Sequence, residues 1–114
     1  MVDCLFCKIV SGEVPATIVR EGPGTVSFRD INPQAPTHVL VVPRAHHDDV
    51  GALLQADPGL LTELVREAQA VADEEGVAER GWRLVFNTGR EGGQTVFHVH
   101  AHVLGGRGLG WPPG

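Results

Sequence analysis

The sequence is poor in cysteine, in basic residues and in long apolar runs, and each shortage excludes a class of protein. Two cysteines, Cys4 and Cys7, lie too close together to cross-link a whole domain, which favours a reducing compartment. Nine Lys and Arg against 14 Asp and Glu give a net charge of -5, the wrong sign for a protein that holds a nucleic-acid backbone. No apolar run approaches the roughly 20 residues of a membrane helix. We therefore expect a cytoplasmic protein with no nucleic-acid or membrane partner.

The length and composition predict a single domain over residues 1–114. A mass of 12.2 kDa leaves no room for two independent cores. Hydrophobic residues make up 42% of the chain and charged residues 20%, values usual for a folded globule. No repeat, low-complexity tract or interdomain linker interrupts the chain.

The order of the predicted elements is typical of an α+β fold. A short N-terminal helix is predicted at 5–10, and five strands are predicted at 17–20, 25–29, 38–42, 82–86 and 96–104. Asp57 and Pro58 begin the one main helix, because a capping side chain followed by proline is a typical start, and apolar residues at helical spacing continue to Ala72. We expect an antiparallel five-stranded meander sheet with this helix packed on it.

The six histidines are the strongest chemical signal in the sequence. They fall into two groups, which are His38, His46 and His47, and His98, His100 and His102. Side chains alternate between the two faces of a strand, so the second group would lie on one face of the last predicted strand. The apolar residues of that strand, Phe97, Val99, Ala101 and Val103, would then point to the other face, into the core. Three neighbouring imidazoles are unusual on a strand face that only contacts solvent, since they repel one another once protonated. Such a face can ligate a metal, transfer protons or attack phosphorus, and the residues alone leave these alternatives open.

One run in the last predicted strand resembles a known family motif. His98-Val99-His100-Ala101-His102-Val103-Leu104 is similar to the motif of the histidine triad superfamily, in its nucleotide-binding, Hint-like branch. Segments 30–38, 87–89 and 92–97 and the terminal Trp-Pro-Pro-Gly also resemble that branch. The resemblance therefore covers nearly the whole chain.

The resemblance implies a hydrolase that acts on purine nucleoside phosphoramidates, built as a homodimer whose sheet continues across both protomers. His100 would attack the α-phosphorus, and water would release the resulting nucleotidyl-histidine. By the same match, His38 would orient His100, and His102 would stabilise charge beside the phosphate. Purine nucleoside monophosphates and their phosphoramidates are the expected ligands, and no organic cofactor is implied.

The resemblance also assigns a set of substrate-binding residues. Asp30 and Ile31 match the ribose and base site, and Asn87 and Thr95 match positions that contact the phosphate or the leaving group. The implied set is completed by Gly93, His98, His102 and Trp111. Taken by themselves, Asp30 and Asn87 could cap their own turns and Trp111 could be a surface anchor. Thr95 stands where the family more often has serine, so the hydroxyl is kept and the β-branch would tighten the leaving-group pocket.

The pair Cys4 and Cys7 predicts a second functional cluster. Two thiolates at this spacing can bind Zn²⁺, whose structural sites take four Cys or His ligands, while inert buried thiols or a redox dithiol are the alternatives. Bacterial-type relatives resemble this chain in pairing such cysteines with a Pro-x-x-His histidine and the first triad histidine. That resemblance implies His46 and His98 as the other ligands, with His47 as the alternative to His46. The zinc would be structural, since four protein ligands leave no open position for water.

Three other functions remain open from the sequence. A dinucleoside polyphosphate hydrolase would use the same nucleophile with another leaving group, although the Trp-Pro-Pro-Gly ending resembles the phosphoramidase branch. Three imidazoles on one face could instead hold a catalytic zinc with an open water position. A nucleotide-binding adaptor would keep the site with little catalysis.

Overall fold

The computed structural model describes residues 4–114, so the first three residues of the predicted 1–114 domain lie outside the described part. Three helices and five strands occur in this part. In chain order they are α1 (Leu5–Ser11), β1 (Ile18–Glu21), β2 (Thr25–Arg29), β3 (Thr37–Pro43), α2 (Val50–Ala56), α3 (Pro58–Glu74), β4 (Trp82–Val85) and β5 (Ala101–Gly105).

Each helix begins at a side-chain cap. Cys4, Asp49 and Asp57 each accept a hydrogen bond from the backbone N–H three residues further on. The predicted start of α3 at Pro58 is confirmed. Helix α1 ends at Gly12, whose φ of 86° is a conformation that glycine adopts without strain. Local sequence therefore fixes where the helices begin.

The five strands form one antiparallel sheet in the order β1-β2-β3-β5-β4. The α+β class and the five antiparallel strands are confirmed. The order differs from a simple meander, because the chain leaves β3 through α2 and α3 and returns to the edge as β4, and β5 then fills the gap between β3 and β4. His102 of β5 consequently pairs with Leu40 on one side and with Val85 on the other.

Two elements differ from the sequence-based expectation. Helix α2 was not predicted, because its seven residues are too few to display a helical period. Strand β5 begins at Ala101, although strand was predicted from position 96. The Val99 N–H instead bonds to the carbonyl of His47, at 2.7 Å, so the approach to β5 pairs with an irregular segment. Phe97, which was predicted to face the core, is 53% exposed.

The sheet is covered on both faces, which explains the nearly continuous apolar run of β3. Helix α3 packs on one face through Leu64, Ala68 and Val71, and the core there includes Val99 and Val103. A smaller core on the opposite face joins α1 to β2 and β3, and its members are Cys4, Phe6, Val26, Phe28, Leu40 and Val42. Among the helices of residues 4–114, none combines the length and the apolar character that crossing a bilayer requires.

Candidate active site

A cleft of about 360 Å³ opens beside α1, on the face of the sheet that carries the smaller core. Most of its wall is apolar and comes from α1, the loop that follows it, β2 and β3. The predicted site residues in the lining are Asp30, Ile31, Thr95, His100 and His102. The fold therefore brings residues from four separate segments of the sequence to one cavity.

His100 lies at the cleft with its ring held in one orientation. Its Nδ1 is 2.8 Å from the carbonyl oxygen of His98, and because a carbonyl only accepts, Nδ1 must carry the proton. The neutral ring then has its lone pair on Nε2. Burial lowers the pKa of His100, although the His98 carbonyl and the charge of Asp30 oppose this effect. His100 is 7% exposed, and the neutral form prevails near pH 7.

A chain of hydrogen bonds orders the imidazoles of His38 and His102. The Gln34 N–H donates to Nδ1 of His38 at 3.0 Å, so the His38 proton must be on Nε2. His38 Nε2 lies 2.9 Å from Nδ1 of His102 and donates to it. The proton of neutral His102 is therefore on Nε2, a buried atom with no hydrogen-bond partner within residues 4–114.

This arrangement differs from the role that the resemblance implied for His38. The His38 ring bonds to His102, whereas the backbone carbonyl of His98 orients His100. The Oδ2 atom of Asp30 is 3.4 Å from His38 Nε2 and forms a second possible acceptor for it. Burial lowers the pKa of His38, an effect that the Asp30 charge opposes. Burial, with repulsion from His100 and His38, lowers the pKa of His102 to about 4.

Phe6 of α1 packs directly against the triad. Its ring centroid lies 4.9 Å from that of His100 at an interplanar angle of 90°, and 5.4 Å from that of Phe28. Phe6 is buried and lines the cleft as well. This edge-to-face contact restricts the orientation of the His100 ring in addition to its bond with the His98 carbonyl. The position of α1 is therefore part of the site geometry.

The predicted metal ligands Cys4, Cys7, His46 and His98 come together at the N-terminal end of α1. Their sulfur and nitrogen atoms all lie within 4.8 Å of one another, and His47 is not part of the group. Cys4 Sγ to His98 Nδ1 and Cys7 Sγ to His46 Nδ1 both measure 3.4 Å, and Cys7 Sγ to His98 Nδ1 measures 3.5 Å. A tetrahedral zinc with usual bond lengths separates sulfur from nitrogen by about 3.6 Å. The group fits Zn²⁺ in both chemistry and size.

The second nitrogen of each of these histidines is also held. His46 Nε2 is 3.1 Å from Oδ1 of Asp48, and His98 Nε2 is 2.8 Å from the carbonyl oxygen of Pro43. A carboxylate or carbonyl in this position fixes the tautomer that leaves Nδ1 free for a metal. Burial raises the pKa of Cys7, and so do the hydrogen bond and the charge of Cys4, so a cation would relieve an unfavourable pair of thiolates.

Four predicted substrate residues lie outside the cleft lining of this single chain. His98 is fully buried, and its ring faces the cysteines rather than the cavity. Asn87 and Gly93 belong to the loop between β4 and β5, which reaches the cleft through Thr95. Trp111 is 83% exposed in the C-terminal segment. Their substrate contacts stay predictions.

Sequence reasoning missed three residues that hold this site together, namely Phe6, Asp48 and Gln94. Phe6 is visible in the sequence only as one apolar position of a short helix. Asp48 follows His46 by two positions in an irregular segment, where no periodicity indicates a contact. Gln94 is buried, and its side-chain amide forms hydrogen bonds with the backbone of three other residues. Glutamine is seldom fully buried, so no sequence signal pointed to it.

Comparison with known proteins places the chain in a family. The HIT domain matches residues 11–109. The purine nucleoside phosphoramidase of Escherichia coli K12 is 43% identical over 108 residues, which cover 95% of this chain and 91% of that protein. A 14 kDa zinc-binding protein of Zea mays is 45% identical over 113 residues, covering 96% of this chain and 87% of that protein.

A solved structure of a HIT family hydrolase from Legionella pneumophila matches the fold with a TM-score of 0.94. It is 49% identical, and the match covers 98% of this chain and 100% of that one. A match over most of the chain, together with this identity, shows that the chain belongs to the HIT domain family. It is a hydrolase of the HIT superfamily.

Proposed function

We propose that this chain is a nucleoside phosphoramidase that works through a nucleotidyl-histidine intermediate on His100. The observation that carries the proposal is the hydrogen-bond order of the triad. His100 keeps its lone pair on Nε2 because Nδ1 donates to the His98 carbonyl, while His102, which lines the same cleft, carries an Nε2–H with no partner in the described part of the chain. One imidazole is thus prepared as a nucleophile and its neighbour as a hydrogen-bond donor.

The reaction proceeds in two displacements at one phosphorus. In the first, Nε2 of His100 bonds to the α-phosphorus while the P–N bond to the amine breaks, and the departing amine takes up one proton from solvent. In the second, water bonds to phosphorus and gives one proton to solvent while the bond to His100 breaks, which releases the nucleoside monophosphate and neutral His100. His102 donates its Nε2–H to a phosphate oxygen in both steps, in a site where burial strengthens that contact.

The cleft supports a nucleoside as the group that is recognised. Its apolar wall offers the flat, largely dry surface that a purine base prefers, and Ile31, which is 99% exposed, lies at the edge of that surface. Asp30 Oδ1 accepts from the Asn32 N–H at 2.8 Å, which fixes the carboxylate. Its oxygens lie beside the triad, where they would accept from the ribose hydroxyls. Thr95 would contact the leaving group, with Asn87 and Gly93 behind it in the same loop.

We also propose that Cys4, Cys7, His46 and His98 hold a structural zinc. The separations between their ligand atoms and the fixed tautomers of both histidines support this assignment. When bound, the ion would join α1 to the segment that precedes β5. With four protein ligands it would not activate water, so the chemistry at His100 does not pass through it.

A homodimer is the proposed assembly. Strand β4 is an edge of the open sheet, so a second β4 could pair with it and continue the sheet. Phe97 and Trp111 are 53% and 83% exposed, and such large apolar side chains are expected at an interface. Trp111 would then lie near the partner's cleft. Sedimentation analysis should give twice the chain mass of 12.2 kDa, and a monomer at micromolar concentration would refute the assembly.

The test of the activity compares the wild type with His100→Ala on a fluorogenic adenosine phosphoramidate. We expect the wild type to turn over and to carry a nucleotidyl adduct by mass spectrometry, and the variant to lose at least about 10³-fold in kcat/KM. His47→Ala is the matched control, because that ring is outside both the cleft and the metal group. A folded His100→Ala variant that keeps its rate would refute the nucleophile.

Other outcomes identify the competing functions. Faster hydrolysis of a dinucleoside polyphosphate than of any phosphoramidate would change the substrate class but keep the mechanism. Activity that disappears with a chelator while the protein stays folded would indicate a catalytic metal. Tight binding of adenosine monophosphate with no turnover would indicate a binding protein.

A further inference from the structure

Gln94 is a buried amide that connects two irregular segments beside the cleft. Its side chain is 5% exposed, and every polar group that it offers has a partner. Oε1 accepts from the Gly89 N–H at 2.9 Å, while Nε2 donates to the carbonyl oxygens of Asp48 at 2.7 Å and of Val96 at 3.1 Å. These bonds tie the loop between β4 and β5 to the segment that precedes α2.

The bonds of Gln94 determine the conformation of the cleft wall. Thr95 and Val96 follow Gln94 directly and both line the cleft. The bond from Gln94 Nε2 to the Val96 carbonyl spans Thr95, and the backbone N–H of Gln94 donates to the Gly89 carbonyl at 3.0 Å. Thr95 is therefore held between two fixed points, although it is itself exposed and belongs to no helix or strand.

The far end of the Gln94 amide is anchored as well. The Asp48 carbonyl that it reaches belongs to the residue whose carboxylate bonds to His46, and the carbonyl of the preceding residue, His47, accepts from the Val99 N–H. The segment that precedes α2 is thus held by hydrogen bonds from both Gln94 and Val99, and it anchors the Gln94 amide. Movement of Thr95 relative to the triad would require breaking buried hydrogen bonds, each of which costs about 1–3 kcal/mol when its partner is left buried.

We propose that Gln94 is a positioning residue for the reaction at His100, because it holds Thr95 at the place where the leaving group departs. The inference rests on the proposed phosphoramidase function. Gln94 is buried behind Thr95 and is not part of the cleft lining. It acts through the backbone of residues 94–96, so its effect belongs to the step in which the amine leaves and not to binding of the nucleoside, whose contacts lie at Asp30 and Ile31.

The experiment is a double-mutant cycle between Gln94→Leu and Thr95→Val. Gln94→Leu keeps the size of the side chain and removes all three of its hydrogen bonds. We expect kcat to fall about 10- to 100-fold, since a small misplacement of a contact group costs this much. The loss should be larger for phosphoramidates whose leaving amine has a higher pKa. The dissociation constant for adenosine monophosphate should change by less than about 3-fold.

The coupling separates positioning from general support of the fold. In the Thr95→Val background the further loss from Gln94→Leu should shrink to less than about 3-fold, because the hydroxyl to be positioned is already gone. Independent losses that multiply would overturn the proposal, as would an unchanged kcat. Gln69→Leu is the matched control, since Gln69 is exposed and donates to Asp73 of the same helix, α3.

A second variant protects the test against a folding defect. Gln94→Glu keeps the acceptor for the Gly89 N–H and removes both donors, so its kcat should fall in the same manner. If both variants fail to fold, Gln94 supports the domain as a whole and the proposal is wrong. If the wild type hydrolyses no phosphoramidate, the proposed function fails. A normal rate in folded Gln94 variants of an active enzyme would refute the positioning role alone.

Discussion

The Nε2 atom of His38 lies 2.9 Å from Nδ1 of His102, and this contact fixes the proton positions of both rings. It does so only because the Gln34 N–H already occupies Nδ1 of His38. The hydrogen bonds run in one direction, from the Gln34 N–H to His38 and from His38 to His102, which lines the cleft. His38 therefore acts on His102, which lines the cleft, without lining the cavity itself.

Replacing His38 by phenylalanine should lower kcat/KM by about 10²-fold, because His102 would then no longer be held with its proton on Nε2. Phenylalanine keeps the flat ring and removes both nitrogens. Steady-state kinetics with the adenosine phosphoramidate measure the loss, and circular dichroism checks the fold. A kcat/KM within about 2-fold of the wild type would mean that the tautomer of His102 does not matter.

Stability should fall as the pH is lowered from about 6.5 towards 4. His102 in the unfolded chain takes a proton near pH 6.5, whereas in the folded protein its pKa is about 4, so unfolding takes up a proton between these values. The stabilisation is complete above pH 6.5 and is lost as the pH falls. Urea unfolding from pH 7.5 to 4.5 should show this slope, and His102→Asn should take up one proton fewer. An equal slope in both proteins would contradict the burial of His102.

Metal removal should separate stability from chemistry. Purified protein is expected to contain about one zinc per chain, and His46→Ala should lose it and melt at least about 5 °C lower. His47→Ala is the control, because His47 is not in the metal group and bonds to the Val99 N–H through its backbone carbonyl, which alanine keeps. Elemental analysis and thermal melting provide the measurements. Wild-type metal content in His46→Ala would exclude this ligand set, and metal-free protein that remains folded should still form the adduct on His100.

The sequence predicts what depends on local chemistry and on chain order. The cap at Asp57, the proline at the start of α3 and the alternation from His100 to Val103 all follow from neighbouring residues. The five strands are likewise recognisable from their β-branched runs. The metal group was predicted by resemblance, and His46 rather than His47 lies in it.

What the sequence cannot predict are contacts between segments that have no period. The irregular approach to β5 arises because the Val99 N–H finds the His47 carbonyl, a pairing that no pattern in either segment indicates. The hydrogen bond between His38 and His102 is likewise not indicated by any pattern in the two segments. Alternation places the triad on one face, but which ring bonds to which depends on the register of β3 against β5. Gln94 shows the same limit, since its three partners are spread over positions 48 to 96.

Phe6 connects the metal group, the cleft and His100, so its replacement should affect binding and stability together. Phe6→Leu removes the edge-to-face contacts with His100 and Phe28, and we expect the free energy of unfolding to fall by about 1–2 kcal/mol. Because Phe6 lines the cleft, adenosine monophosphate should bind about 10-fold more weakly by calorimetry. Leu54→Ala, on the exposed side of α2, should change neither quantity appreciably. Loss of stability with unchanged nucleotide affinity would mean that α1 supports the fold without forming the base site.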